Sequence, residues 1–264
     1  MSAIIETREM NTMIIFCRGI LGMTPGKKEI HEKYIASKAP DAKLIDEEIA
    51  ERGLNEVINE EKNVFPRTEE GIPFIYDYQW KGYFKEKCAF IAKIPGTKSS
   101  TVKAYKKLVD GRVFVQDRRN VINGPVLDET CQRTLRASTP QGERISLANS
   151  EEIPYGSTTE MTVETMTKSE EDLVKEWLSY GIYHGTGQWR SSGKGRFFWV
   201  EFNDDGEVIG GNAKDYLKKL EKHKEKLLQK LERNPQFAED YETKIRDCDA
   251  EIDLVAPYAK AKTV

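Results

Sequence analysis

Between residues 13 and 202 the apolar spacing keeps switching period, and this switching constrains the fold more than any single motif does. Residues 13–18 (MIIFCR) are a short apolar, partly β-branched run that suits a buried strand. Trp80, Phe84, Cys88 and Ile91 recur at spacings of four, four and three, which predicts a helix over 79–93. A short helix is expected over 101–108, and strands over 112–116, 132–137, 144–148 and 158–166. Residues 169–180 read as a helix with Ser169 as N-cap, acids in the first turn, and Leu173, Trp177 and Leu178 facing inward. An aromatic strand over 196–202 closes the series. Strands and helices interleave without the regular alternation of a doubly wound parallel sheet, so the expected class is α+β, an antiparallel sheet with helices.

Two segments stand outside this series. Residues 29–38 and 43–59 have helical composition, with Ile45, Ile49 and Val57 near one face and acids on the other, so an acidic helical insertion is expected at about 29–63. After residue 212, Leu217, Leu220, Leu227 and Leu231 mark a helix. Asn234-Pro235 makes a turn, and Phe237, Tyr241, Ile245, Cys248, Ile252 and Val255 mark a second helix. The expected organisation is therefore a core over 1–212 and a C-terminal helical hairpin over 213–264.

Composition narrows the function classes. No stretch of about 18 apolar residues exists to span a membrane, and the opening MSAIIETREM carries acids where a signal peptide carries bases, so a cytoplasmic protein is expected. Cys17, Cys88, Cys131 and Cys248 form no C-x-x-C pair and His31, His184 and His223 are scattered, so no metal, cofactor or disulfide framework is expected. The net charge of −3 argues mildly against phosphate binding, yet the distribution is polarised. Residues 79–119 hold eleven bases against three acids, whereas residues 41–70 hold ten acids against four bases. One face suited to phosphate and another suited to solvent or a basic neighbour follow from that.

Three segments carry a more specific reading. The first strand opens into Gly22, Met23, Thr24, Pro25 and Gly26. The second segment, EEGIPFIYDYQWKGYFKEK, holds Gly71, Pro73, Phe74 and Ile75 in a turn that feeds a helix bearing Lys81, Gly82 and Lys85. The third places Gly185, Gly187, Arg190, Ser191, Ser192, Gly193, Gly195 and Arg196 in a glycine-rich stretch between helix and strand, preceded by the strand entry EIPYGSTTEMT. In order and spacing these segments resemble the RAMP superfamily, which includes backbone subunits of CRISPR effector complexes. The resemblance covers roughly residues 11–28 and 64–202. Gln79 and Trp80 depart from it, because the family has small residues before the lysine.

The resemblance implies a ferredoxin-like, RNA-recognition-motif-like core that grips a guide or target strand by its backbone and stacks copies along it, in a defence system, phage or other mobile element. The expected function is thus non-catalytic binding of single-stranded nucleic acid, RNA before DNA. Lys81, Lys85, Arg190, Lys194 and Arg196 are the expected phosphate contacts, with Trp189 stacking on a base and the cluster Arg133, Arg136 and Arg144 either lining the same groove or forming a solvated face. Gly185, Gly187, Gly193 and Gly195 would let the backbone approach phosphate. The alternative is a protein-interaction module, or an inhibitor of a nucleoprotein complex, acting through the acidic segment and the hairpin; self-association or a protein partner is expected at the hairpin. His184 invites a ribonuclease reading, but no nucleophile or carboxylate constellation accompanies it, and no enzyme is expected.

Overall fold

The computed structural model describes residues 6–25, 62–127, 130–139 and 142–260. The acidic insertion lies outside these residues, apart from its last two positions. The strands are β1 (Arg8–Phe16), β2 (Ile20–Leu21), β3 (Thr24–Pro25), β4 (Lys62–Val64), β5 (Phe74–Tyr76), β6 (Val113–Val115), β7 (Arg119–Asn123), β8 (Cys131–Thr139), β9 (Gly142–Ser150), β10 (Glu152–Ile153), β11 (Thr158–Thr165), β12 (Phe197–Phe202) and β13 (Val208–Gly211). The helices are α1 (Asp77–Ile91), α2 (Tyr105–Arg112), α3 (Lys168–Ser179), α4 (Ala213–Arg233) and α5 (Ala238–Ala259).

The main sheet runs β13-β12-β1-β11-β7-β5, with β6 also paired to β11, and each pairing is antiparallel. Taken in chain order, β1, α1, β6 with β7, β11, α3 and β12 form a βαββαβ series with β1 central between β12 and β11. That order is the ferredoxin-like arrangement, and it bears out the α+β reading. A smaller sheet, β3-β4-β9-β8, carries the long β8–β9 ribbon, and β10 pairs with β2.

Strand alternation sends β1 to both faces. Met10, Ile14 and Phe16 join Trp80, Phe84 and Cys88 of α1 and Val174 and Trp177 of α3 in one core. Ile15 and Cys17 join Phe198 and Val200 of β12 on the other face, where Tyr216, Leu220, Cys248 and Val255 of the hairpin cover them. The hairpin is therefore a third layer as well as a helix pair. A buried carboxylate fastens it: Glu251 accepts from the Tyr216 hydroxyl and pairs with Arg18 at 2.8 Å. Burial, reinforced by Glu251, pushes the adjoining Cys17 thiol up to about 12.

The local corrections are small and have plain causes. The cap of α3 is Thr167, whose extended backbone and side-chain oxygen receive the Glu170 amide at 3.4 Å; Ser169 lies inside the first turn. The short helix expected at 101–108 runs Tyr105–Arg112, because residues 99–101 form a separate 3-10 turn. Edge strand β13, with two of its four residues glycine, offers no alternating apolar pattern. No helix among the described residues is long and apolar enough to cross a membrane.

Candidate nucleic-acid interface

The glycine-rich segment between α3 and β12 crosses over itself. The Thr186 amide donates to the Gly195 carbonyl at 3.0 Å, and the Gly195 amide donates to Gly19 at 2.8 Å. A Cβ on Gly185 would lie 1.8 Å from the Gly195 oxygen, and one on Gly195 would lie 1.8 Å from the Thr186 oxygen. Gly187 packs on Ile20 and Leu21, and Gly193 lies under the Arg196 guanidinium. All four glycines thus have an internal reason: this backbone crossing has no room for side chains.

The crossing fixes the base of residues 188–194, which display Trp189. This tryptophan has φ 54, in the left-handed region that non-glycine residues avoid, and it is 39% exposed. The Arg133 guanidinium of β8 sits 5.8 Å from its ring centroid. Gln188 anchors the adjoining backbone. Its Oε1 accepts from Arg133 Nη2, from Asn63 at 3.2 Å and from Ser150 at 3.4 Å, tying the segment to β4 and the β8–β9 ribbon.

The neighbouring bases are ion-paired or hydrogen-bonded within the molecule. Arg190 meets Glu86 at 2.7 Å, Lys194 meets Glu152 at 2.5 Å, and Arg196 Nε donates to the Gly193 carbonyl at 3.3 Å. Glu86 also holds Lys87 at 2.7 Å, and Lys87 Nζ lies 2.6 Å from His184 Nδ1. Burial brings Lys87 down to about 8 and, with the neighbouring Lys87 charge, lowers His184 as well. A protonated Lys87 donates to His184 Nδ1, which places the imidazole proton on Nε2.

Lys81 and Lys85 lie elsewhere. Lys85 pairs with Asp110 of α2, and Lys81 sits 4.9 Å from the Phe114 ring centroid, where burial lowers its pKa. At about 100° per residue, Lys81 and Glu86 are about 140° apart around α1. The helix therefore separates the two lysines, on its α2 flank, from Glu86 and Arg190, on the flank facing the glycine-rich segment. Arg136 and Arg144 occupy the ribbon opposite Ile145 and Ala137.

The outer sheet face beyond the hairpin is acidic. Glu9 pairs in register with Glu164, Asn11 with Thr162, and Met13 with Glu160. RNA-recognition folds stack bases on aromatics of this face, but these β1 and β11 positions carry none. Among the described residues, no group of three His, Cys, Asp or Glu could hold a metal ion.

No family model and no curated protein matches the chain. Among solved structures, it is similar to a chain in the "Cryo-EM structure of the Type III-B Cmr-beta bound to cognate target RNA". The TM-score is 0.39 and the identity 9%, over 73% of this chain and 58% of that one. It is also similar to a chain in a "Type IV-B CRISPR Complex", with TM-score 0.36 and 11% identity over 75% of this chain and 91% of that one. The ferredoxin-like order stands on the strand pairings.

Sequence reasoning missed Gln188, Glu86 and Lys87. Only the adjacent opposite charges at 86–87 hinted at a pair, and nothing local pointed to their partners in the glycine-rich segment.

Proposed function

We propose that the protein is a non-catalytic holder of single-stranded nucleic acid, RNA before DNA, which it engages at the 188–196 segment. The observation that carries this reading is Trp189, a half-exposed aromatic in a strained backbone conformation, flanked by Arg133 and braced by Gln188. A base stacked there contributes about 1–3 kcal/mol. Arg190, Lys194 and Arg196 supply charge alongside. Partly exposed ion pairs are worth about 0–1 kcal/mol, so a phosphate can recruit Arg190 and Lys194 away from Glu86 and Glu152. The acidic sheet face takes no part.

Fluorescence anisotropy with a labelled single-stranded RNA, titrated with salt, tests the proposal. Affinity should fall log-linearly with salt. Trp189→Ala should weaken binding by about 5- to 150-fold, while Lys81→Ala and Lys85→Ala, on the other flank of α1, should change it little. Absence of binding, or binding indifferent to salt and to Trp189, would sink it.

A second reading, a protein-interaction module, draws on the far end of the hairpin, where Leu228 and Phe237 are exposed. Self-association that survives Leu228→Ser with Phe237→Ser, measured by sedimentation, would count against that surface.

A further inference from the structure

Five of the eleven bases of residues 79–119 are ion-paired within the molecule. Lys85 meets Asp110, Lys87 meets Glu86, Lys98 meets Asp172, Arg112 meets Glu170 and Arg118 meets Asp77. Lys93, Lys103, Lys106 and Lys107 are exposed and have no acidic partner among the described residues. Three of these four fall within residues 103–107.

Lys103 and Lys107 line a cleft of about 1040 Å³ between the 96–104 segment, α2 and the first turns of α3. Its other charged groups are the compensated pairs Lys98–Asp172 and Arg112–Glu170, so the two lysines set the sign of the cleft. Val102, Leu108 and Leu173 give it an apolar floor continuous with the core. The cleft lies on the α2 flank of α1, away from the 188–196 segment, and its chemistry stands independently of the strand-binding reading.

We propose that this cleft binds a phosphorylated small molecule of nucleotide size, with its phosphate between Lys103 and Lys107 and its ring on Val102, Leu108 and Leu173. Two lysines match the charge of about −1.5 to −2 that a phosphate monoester carries. Lysine meets phosphate as a point charge. The cleft falls near the upper end of the usual ligand-site range of about 300–1,000 Å³. The apolar floor favours a ligand with a flat ring over a bare inorganic anion. Such a ligand is either a free nucleotide or the phosphorylated terminal nucleotide of a strand.

Calorimetric titration of the full chain with AMP, inorganic phosphate and adenosine tests this. AMP should bind saturably, and both phosphate and adenosine should bind at least about tenfold more weakly. The double variant Lys103→Ala, Lys107→Ala should weaken AMP binding at least about tenfold. Lys93→Ala removes an exposed charge outside the cleft and should leave binding unchanged. So should Trp189→Ala, which separates failure here from failure of the strand-binding proposal. Competition by a 5′-phosphorylated but not a 5′-hydroxyl oligonucleotide would assign the cleft to strand ends; no competition by either would assign it to free nucleotides. An absence of saturable AMP binding, or binding unaffected by the double variant, overturns the proposal.

Discussion

Replacing Glu251 by alanine should loosen the C-terminal hairpin from the sheet, and the structure sets the size of the effect. Glu251 is 5% exposed and is the acceptor for the buried Tyr216 hydroxyl, whose other neighbour is the weakly accepting Cys17 sulfur at 3.6 Å. Leaving that hydroxyl without a strong acceptor costs about 1–3 kcal/mol. The Arg18 pair adds little, about 0–1 kcal/mol, because the Arg18 side chain is 43% exposed and water replaces its partner. Together these give a loss of about 1–4 kcal/mol, or about 2–15 °C in melting midpoint for a chain of this size. Urea unfolding followed by tryptophan fluorescence measures it, since Trp80, Trp177 and Trp199 are all buried. Glu251→Gln keeps an acceptor for Tyr216 and should lose less than half as much. A double-mutant cycle of Glu251→Ala with Tyr216→Phe should show coupling of about 1 kcal/mol or more. If Glu251→Ala stayed within about 0.5 kcal/mol of the parent, or the two substitutions were additive, the carboxylate would not be what fastens the hairpin.

Two glycines of opposite character make a matched pair for thermal unfolding. Gly82 sits within α1 with nothing within 4 Å of an added Cβ, so Gly82→Ala should stabilise by about 0.5–1 kcal/mol. Gly185→Ala would drive a Cβ into the Gly195 backbone and should destabilise by about 3 kcal/mol or more. Glu171 provides a pH test. Burial pushes its carboxyl up, but hydrogen bonds from Arg8, Lys168 and Lys175 outweigh this and hold it at about 2, against an ordinary value of 4.5. Because the folded-state value is depressed, the contribution is present above pH 4.5 and is lost as pH falls toward 2. Glu171→Gln should therefore be less stable than the parent at pH 7, with the gap narrowing at pH 3; an unchanged gap in urea midpoints would refute the assignment.

The periodic parts of the fold were legible in the sequence. Trp80, Phe84, Cys88 and Ile91 do form the buried stripe of α1, and α4 runs from Ala213 to Arg233 as its leucines imply. What the pattern could not carry was partnership across distance. Arg190 meets Glu86 across 104 positions, so a basic, glycine-rich stretch that looks open to phosphate is already ion-paired. The hairpin read as two helices sharing a seam, yet Tyr216, Cys248 and Val255 also face β1 and β12. Glu251 carries no signal in the sequence, because a local pattern does not show that a carboxylate has a buried hydroxyl waiting for it. The glycines read as backbone open to phosphate, but the chain crosses itself there and the crossing needs them.

The central strand β1 has β11 and β12 as neighbours, and the helices that seal its second face stand still farther along the chain; Cys17 and Tyr216 are 199 positions apart. During synthesis, Ile15 and Cys17 must wait for α5 to emerge before water is excluded from them. Such long-range closure is slow, and it leaves a half-made sheet exposed to other nascent chains. Yield from a cell should therefore respond to translation speed and to chaperone supply more than the stability of the finished molecule would suggest.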